Sequence, residues 1–217
     1  MKKLYMILSI LCIASALSAC AGLPKIAASK AEFSQLSSVS VNTNVPLPKE
    51  FVYVGPNQAA AGFLFGAIGA LIAEGASADT KTQLLQTLDS NDIKIGEIVS
   101  SEFEHQIRDA GFFQRVEAQG ADAEFKMQVN IYGLYVCGQR QLCPMLNLSG
   151  QLVRSDGKVV WQNTDFITVN NKEIAKSPHK LEEFLAQPEL LRESFQNAVR
   201  LTTKMLIDDI RTQVGKL

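Results

Sequence analysis

The clearest pattern in the chain is a change of hydrophobic period near its middle. Between residues 91 and 110, Ile95, Ile98, Val99, Phe103 and Ile107 recur at helical spacing. Asn91 or Asp92 is expected to cap the start of that helix, and Gly111 to stop it. The period then becomes two. Phe125, Met127, Val129, Ile131 and Tyr135 alternate with Glu124, Lys126, Gln128 and Asn130, which predicts a strand over Glu124–Val136 with one buried and one wet face. A second strand is expected over Met145–Arg154, and the turn signal Ser155-Asp156-Gly157-Lys158 leads to a third over Val159–Val169. The chain closes in helices. Leu181–Gln187 is short, and Pro188 fits the first turn of a longer helix. That helix carries Leu191, Phe195, Ala198, Val199, Thr202, Met205, Leu206 and Ile210 as an apolar stripe.

Upstream the signals are shorter. Val39 and Val41 alternate with polar residues, Pro46 and Pro48 interrupt, and Phe51–Val54 reads as another short strand ended by Gly55-Pro56. The expected fold is therefore α+β: an antiparallel sheet, built as a meander of three main strands plus short N-terminal strands, covered on one face by two long helices.

Two stretches fit neither period. Residues 59–73 (AAAGFLFGAIGALIA) carry no charge, and Gly62, Gly66, Gly69 and Ala70 would form a smooth ridge on a helix beside Phe63 and Phe65. As a helix the stretch is about 22 Å long, short of a roughly 30 Å hydrocarbon core. Packing within its own domain, an oligomerising or membrane-touching helix, and a groove for an apolar ligand all remain open readings. The other stretch is the N-terminus, where Lys2 and Lys3 precede an apolar run from Leu4 to about Ala16. It is too short for a span and has the form of a cleavable export signal.

That signal ends in Leu17-Ser18-Ala19-Cys20, which resembles the lipobox of bacterial lipoproteins at all four positions. The resemblance implies cleavage after residue 19 and lipidation of Cys20, which then anchors the protein to a membrane through several acyl chains. Several chains make release slow, whereas a single chain holds only marginally. In well-studied Gram-negative bacteria an aspartate after the lipidated cysteine retains the protein at the inner membrane. Ala21 is not that signal, so the resemblance implies the periplasmic face of the outer membrane. Residues 20–35 are expected to be the lipidated cysteine with a flexible tether reaching about 20 Å, and residues 36–217 a single periplasmic domain.

Export changes the reading of the cysteines. Cys12 leaves with the signal and Cys20 is the acylation site. Cys137 and Cys143 are then expected to form a disulfide in an oxidising compartment. Neither spacing nor nearby histidine favours a metal or a redox motif.

Charge and motifs narrow the chemistry. Lysine and arginine number 21 against 22 aspartate and glutamate, which gives no support to nucleic-acid binding. No phosphate loop, dinucleotide fingerprint or nucleophile elbow occurs. His105 reads as a solvated helix residue and His179 as a loop residue. Glu182-Glu183 and Asp208-Asp209 read as solvated helix faces, and Trp161 and Tyr132 as packing residues of the sheet. No catalytic residue, metal ligand or cofactor is expected.

Three further segments carry a family likeness: Ala110-Gly111-Phe112-Phe113, Ala121-Asp122-Ala123-Glu124-Phe125, and the run from Val153 through Ser155-Asp156-Gly157-Lys158 to Trp161. They resemble small bacterial envelope lipoproteins of the transport-auxiliary and outer-membrane accessory type, over roughly residues 90–165 and the C-terminal helix. The resemblance implies a periplasmic α+β module; the lipid anchor, the tether and the lack of a catalytic set add the expectation of a non-enzymatic binding or accessory role with a protein partner in the cell envelope. A carrier of lipid or another apolar ligand is the alternative, and an envelope hydrolase a more distant one.

Overall fold

The computed structural model describes residues 24–56, 78–168 and 171–215. Seven strands form one mixed sheet: β1 Ser38–Val41, β2 Val52–Val54, β3 Arg115–Glu117, β4 Ala123–Val136, β5 Gln141–Arg154, β6 Val159–Ile167 and β7 His179–Lys180. The main order is β3-β1-β4-β5-β6, with β2 also on β4 and β7 on β5. Among the described residues, five α-helices accompany them: α1 Lys30–Phe33, α2 Ala78–Ser90, α3 Ile95–Ala110, α4 Leu181–Ala186 and α5 Pro188–Val214.

The antiparallel meander β4-β5-β6 is as the alternation predicts, but the sheet as a whole is not antiparallel. β1 runs parallel to β3 and β4, and β2 runs parallel to β4. Parallel neighbours need a crossover rather than a tight turn, and α2 and α3, which lie between β2 and β4 in sequence, supply it. One glycine makes the β2 pairing possible. A Cβ at Gly133 would lie 1.9 Å from the carbonyl oxygen of Val52, so no larger residue fits this register.

The helix expected over 91–110 begins later, at Ile95, and its N-cap residue Lys94 makes no side-chain capping bond. Asn91 and Asp92 instead close α2, a helix that the sequence pattern does not announce. Asp92 has φ of 52°, its N–H bonds to the Asp89 carbonyl (3.1 Å), and the Ile93 N–H bonds to the Leu88 carbonyl (2.8 Å). With Ile93 and Leu88 both buried in the core, this is a Schellman closure. Gly111 ends α3 in the left-handed conformation, as expected.

α3 and α5 pack on each other and on one face of the sheet. The space between is filled by aromatic side chains. Phe103 meets Phe125 edge-on at 5.0 Å, Phe125 meets Trp161 at 6.0 Å, and Phe51 meets Tyr132 at 5.3 Å. Trp161 and Tyr132 are thus packing residues. Met205 departs from the stripe expected on α5: it is 36% exposed. On the other face, a ladder of polar side chains crosses the meander. Asn130 donates to Asn147 and Ser149, Ser149 shares a hydrogen bond with Thr164, and Gln151 donates to Gln162.

Candidate functional site

Much of the expected tether is not a free chain. Ile26 and Gln162 exchange both backbone hydrogen bonds (2.9 and 3.0 Å), which adds a short antiparallel rung to the outer edge of β6. The Gln162 side chain donates to the Pro24 carbonyl, and the Ala28 N–H donates to the Gln213 side chain. One turn later Phe33 is fully buried, with its ring 5.7 Å from Phe113. Ala28 and Leu36 join the same core. Residues 24–35, expected to be part of a flexible tether, are therefore packed against the domain. Three apolar side chains and one backbone rung outweigh the conformational freedom of this small, polar sequence.

The centre of this clamp is Asp209. Its carboxylate accepts from Lys25 Nζ, from Trp161 Nε1 at 3.0 Å and from Gln213 Nε2 at 2.6 Å, and its side chain is only 15% exposed. Asp208-Asp209 is thus no pair of solvated acids. Asp208 faces outward to Lys204 and Arg211, and Asp209 faces in. Burial works to raise the Asp209 pKa, but the hydrogen bonds from Lys25, Trp161 and Gln213 together hold it below the ordinary carboxylate range. Asp165, on β6, has the opposite balance. Burial and the neighbouring Asp209 charge push it up to about 6, against a smaller pull from Lys25. A second ion pair, Lys158 with Glu32, closes the clamp at its other end.

Far along the same sheet, Cys137 and Cys143 form the expected disulfide, with Cα atoms 5.8 Å apart. β5 begins earlier than the sequence suggests, at Gln141, so Cys143 lies inside the strand rather than in the loop. The tip is Gly138-Gln139-Arg140, with Arg140 at φ of 61°, and the Cys137 N–H bonds to the Gln141 carbonyl.

Both histidines have acidic neighbours. His105 is 68% exposed on α3 with Asp109 one turn away, as a solvated residue would be. His179 sits in a cleft of about 340 Å³ together with Ser177, Glu193 and Ser194. Its ring packs against Phe184, and Nδ1 lies 3.7 Å from Glu183. No hydrogen bond among the described residues joins a serine hydroxyl to His179, the contact that a nucleophile–base pair uses. Among the described residues no group of three or more side chains could hold a metal ion, and no helix is long and apolar enough to cross a membrane. Leu17, Ser18, Ala19 and Cys20 lie outside the described residues, as do Gly62, Phe63, Phe65, Gly66, Gly69 and Ala70.

No protein-family model matches the chain, and no curated protein does. Solved structures give only distant matches, three of which follow. A Xanthomonas campestris protein with the family description DUF330 is 16% identical, with a TM-score of 0.37. The match covers 52% of this chain and 58% of that one, so the chain spans little more than half of its length. A single-substitution variant of the PelC dodecamer from Paraburkholderia phytofirmans and the PelC dodecamer itself, in two crystal forms, are each 12% identical over 83% of this chain. They are covered to 95% and 94% of their own length, with TM-scores of 0.35 and 0.33. Likeness at this level assigns no activity.

Proposed function

We propose that the protein is a lipid-anchored module of the bacterial cell envelope that acts by binding, not by catalysis, in envelope assembly, maintenance or transport. The observation that carries this reading is the match of Leu17-Ser18-Ala19-Cys20 to a lipobox, with Cys20 four positions before Pro24, whose carbonyl accepts from Gln162. An anchor so placed serves a protein whose work is done at a membrane surface. Ala21 favours the periplasmic face of the outer membrane, by the sorting rule of the lipoproteins it resembles. The helix-covered face of the sheet is filled by Phe103, Phe125, Trp161 and Phe195, which favours a protein partner at the surface over an apolar ligand within.

Cys20→Ala tests the anchor. The variant is expected to accumulate as unprocessed precursor and to lose acyl labelling; unchanged labelling would refute the reading. Crosslinking at native expression followed by capture tests the partner, and recovery of no envelope protein would count against a binding role.

A further inference from the structure

From the clamp and the length of chain before it, we infer that the β6 edge of the sheet is the side of the domain that faces the lipid bilayer. The inference rests on the lipid-anchor reading and adds an orientation to it. Residues 21–23 alone separate Cys20 from Pro24. Four residue steps span at most about 14 Å even when fully extended. Pro24 is fixed by the Gln162 side chain, Lys25 by Asp209 and Ile26 by the β6 backbone, so the attachment point cannot swing around the domain. β3, at the opposite edge, is four strand spacings away, or about 19 Å. A lipidated Cys20 therefore brings β6 to the headgroups and holds β3 away from them.

The chemistry of the edge suits headgroups rather than hydrocarbon. Because the Gln162 N–H and carbonyl point outward to Ile26, those of Thr164 and Phe166 point the same way, and among the described residues they have no backbone partner. Open backbone groups need water or polar headgroups. Lys25 and Lys158, two cations of the clamp, are already paired with Asp209 and Glu32. The short covalent link is what holds this edge down.

The test uses the mature, acylated full chain in phosphatidylethanolamine–phosphatidylglycerol vesicles that carry a headgroup nitroxide quencher. With Cys20 acylated and Cys137 bonded to Cys143, one introduced cysteine takes the fluorophore. Thr164→Cys reports the β6 edge and Arg115→Cys the β3 edge. Quenching several-fold stronger at position 164 is expected. Equal quenching, or stronger quenching at 115, in protein that floats with the vesicles overturns the orientation alone. Protein without acyl chains that fails to float overturns the anchor reading and the orientation with it. A flexible Gly/Ser insertion of about fifteen residues after Leu23 reaches some 20 Å on average and should bring the two positions close to equal. A difference that survives the insertion would contradict the short link as its cause.

Discussion

The N-terminal clamp and the disulfide hairpin solve one problem in two ways. Each pins a segment that would otherwise fray, and they lie about 30 Å apart along the strands, since nine residues of β4 separate the partner row of Gln162 from that of Cys143. The hairpin is pinned by one covalent bond within a seven-residue stretch. The clamp is pinned by side chains from β6, α5 and the N-terminal segment, three stretches far apart in sequence. A covalent pin is indifferent to pH and to neighbouring mutations. A clamp of hydrogen bonds, ion pairs and one buried ring depends on both, and can be taken apart stepwise.

The largest effect should come from the ring. Phe33→Ala removes a fully buried side chain and is expected to cost about 3–5 kcal/mol in urea unfolding. Protease cleavage within residues 24–36 should then precede global unfolding. Asp209→Ala leaves the Trp161 N–H without its acceptor and Lys25 without its partner, and should cost about 2 kcal/mol. Replacing both Cys137 and Cys143 by alanine should cost about 2 kcal/mol in the chain-entropy picture of a short loop. That loss should leave cleavage at residues 24–36 unchanged, because the two pins are independent. A double-mutant cycle between Asp209→Ala and the cysteine pair should accordingly be additive.

The smallest effect has the opposite sign. Asp165 is held to about 6 in the fold, above its ordinary 3.8, so the fold disfavours its charged form. The associated stability is present in full below the ordinary value and is lost as pH rises through about 6. Asp165→Asn should therefore stabilise the protein at pH 7 by about 1 kcal/mol, a figure reduced for the partial exposure of the site. The gain should vanish near pH 4. Asp209 and Asp122 have lowered pKa values, the latter through the N–H groups of Ser38 and Ser37. Their contributions run the other way and are lost on acidification. A pH-independent effect of Asp165→Asn would contradict this assignment.

The same contrast explains what could be read before the fold was seen. The meander is legible because alternation along β4 and the Ser155–Lys158 turn are local signals, and the cysteine pair is legible because its partners are close in sequence. α2 is not, since only Leu84 and Leu88 of its thirteen residues are buried. Asn91 and Asp92 suit either a helix start or a left-handed helix end, and tertiary packing chose the second. The parallel placement of β1 and β2 depends on a crossover and on Gly133, which no local pattern shows. Asp209 carried no mark distinguishing it from Asp208. Ile26, Ala28 and Phe33 are too widely spaced to announce burial, and so a clamp read as a tether.

Amide hydrogen exchange on the mature, membrane-bound protein tests the clamp most directly. The Ile26 N–H, bonded to the Gln162 carbonyl, and the Phe33 N–H, bonded to the Ser29 carbonyl, should be protected to a degree comparable with β6 itself. Exchange across residues 24–36 as fast as in an unstructured peptide, with β6 still protected, would contradict the account.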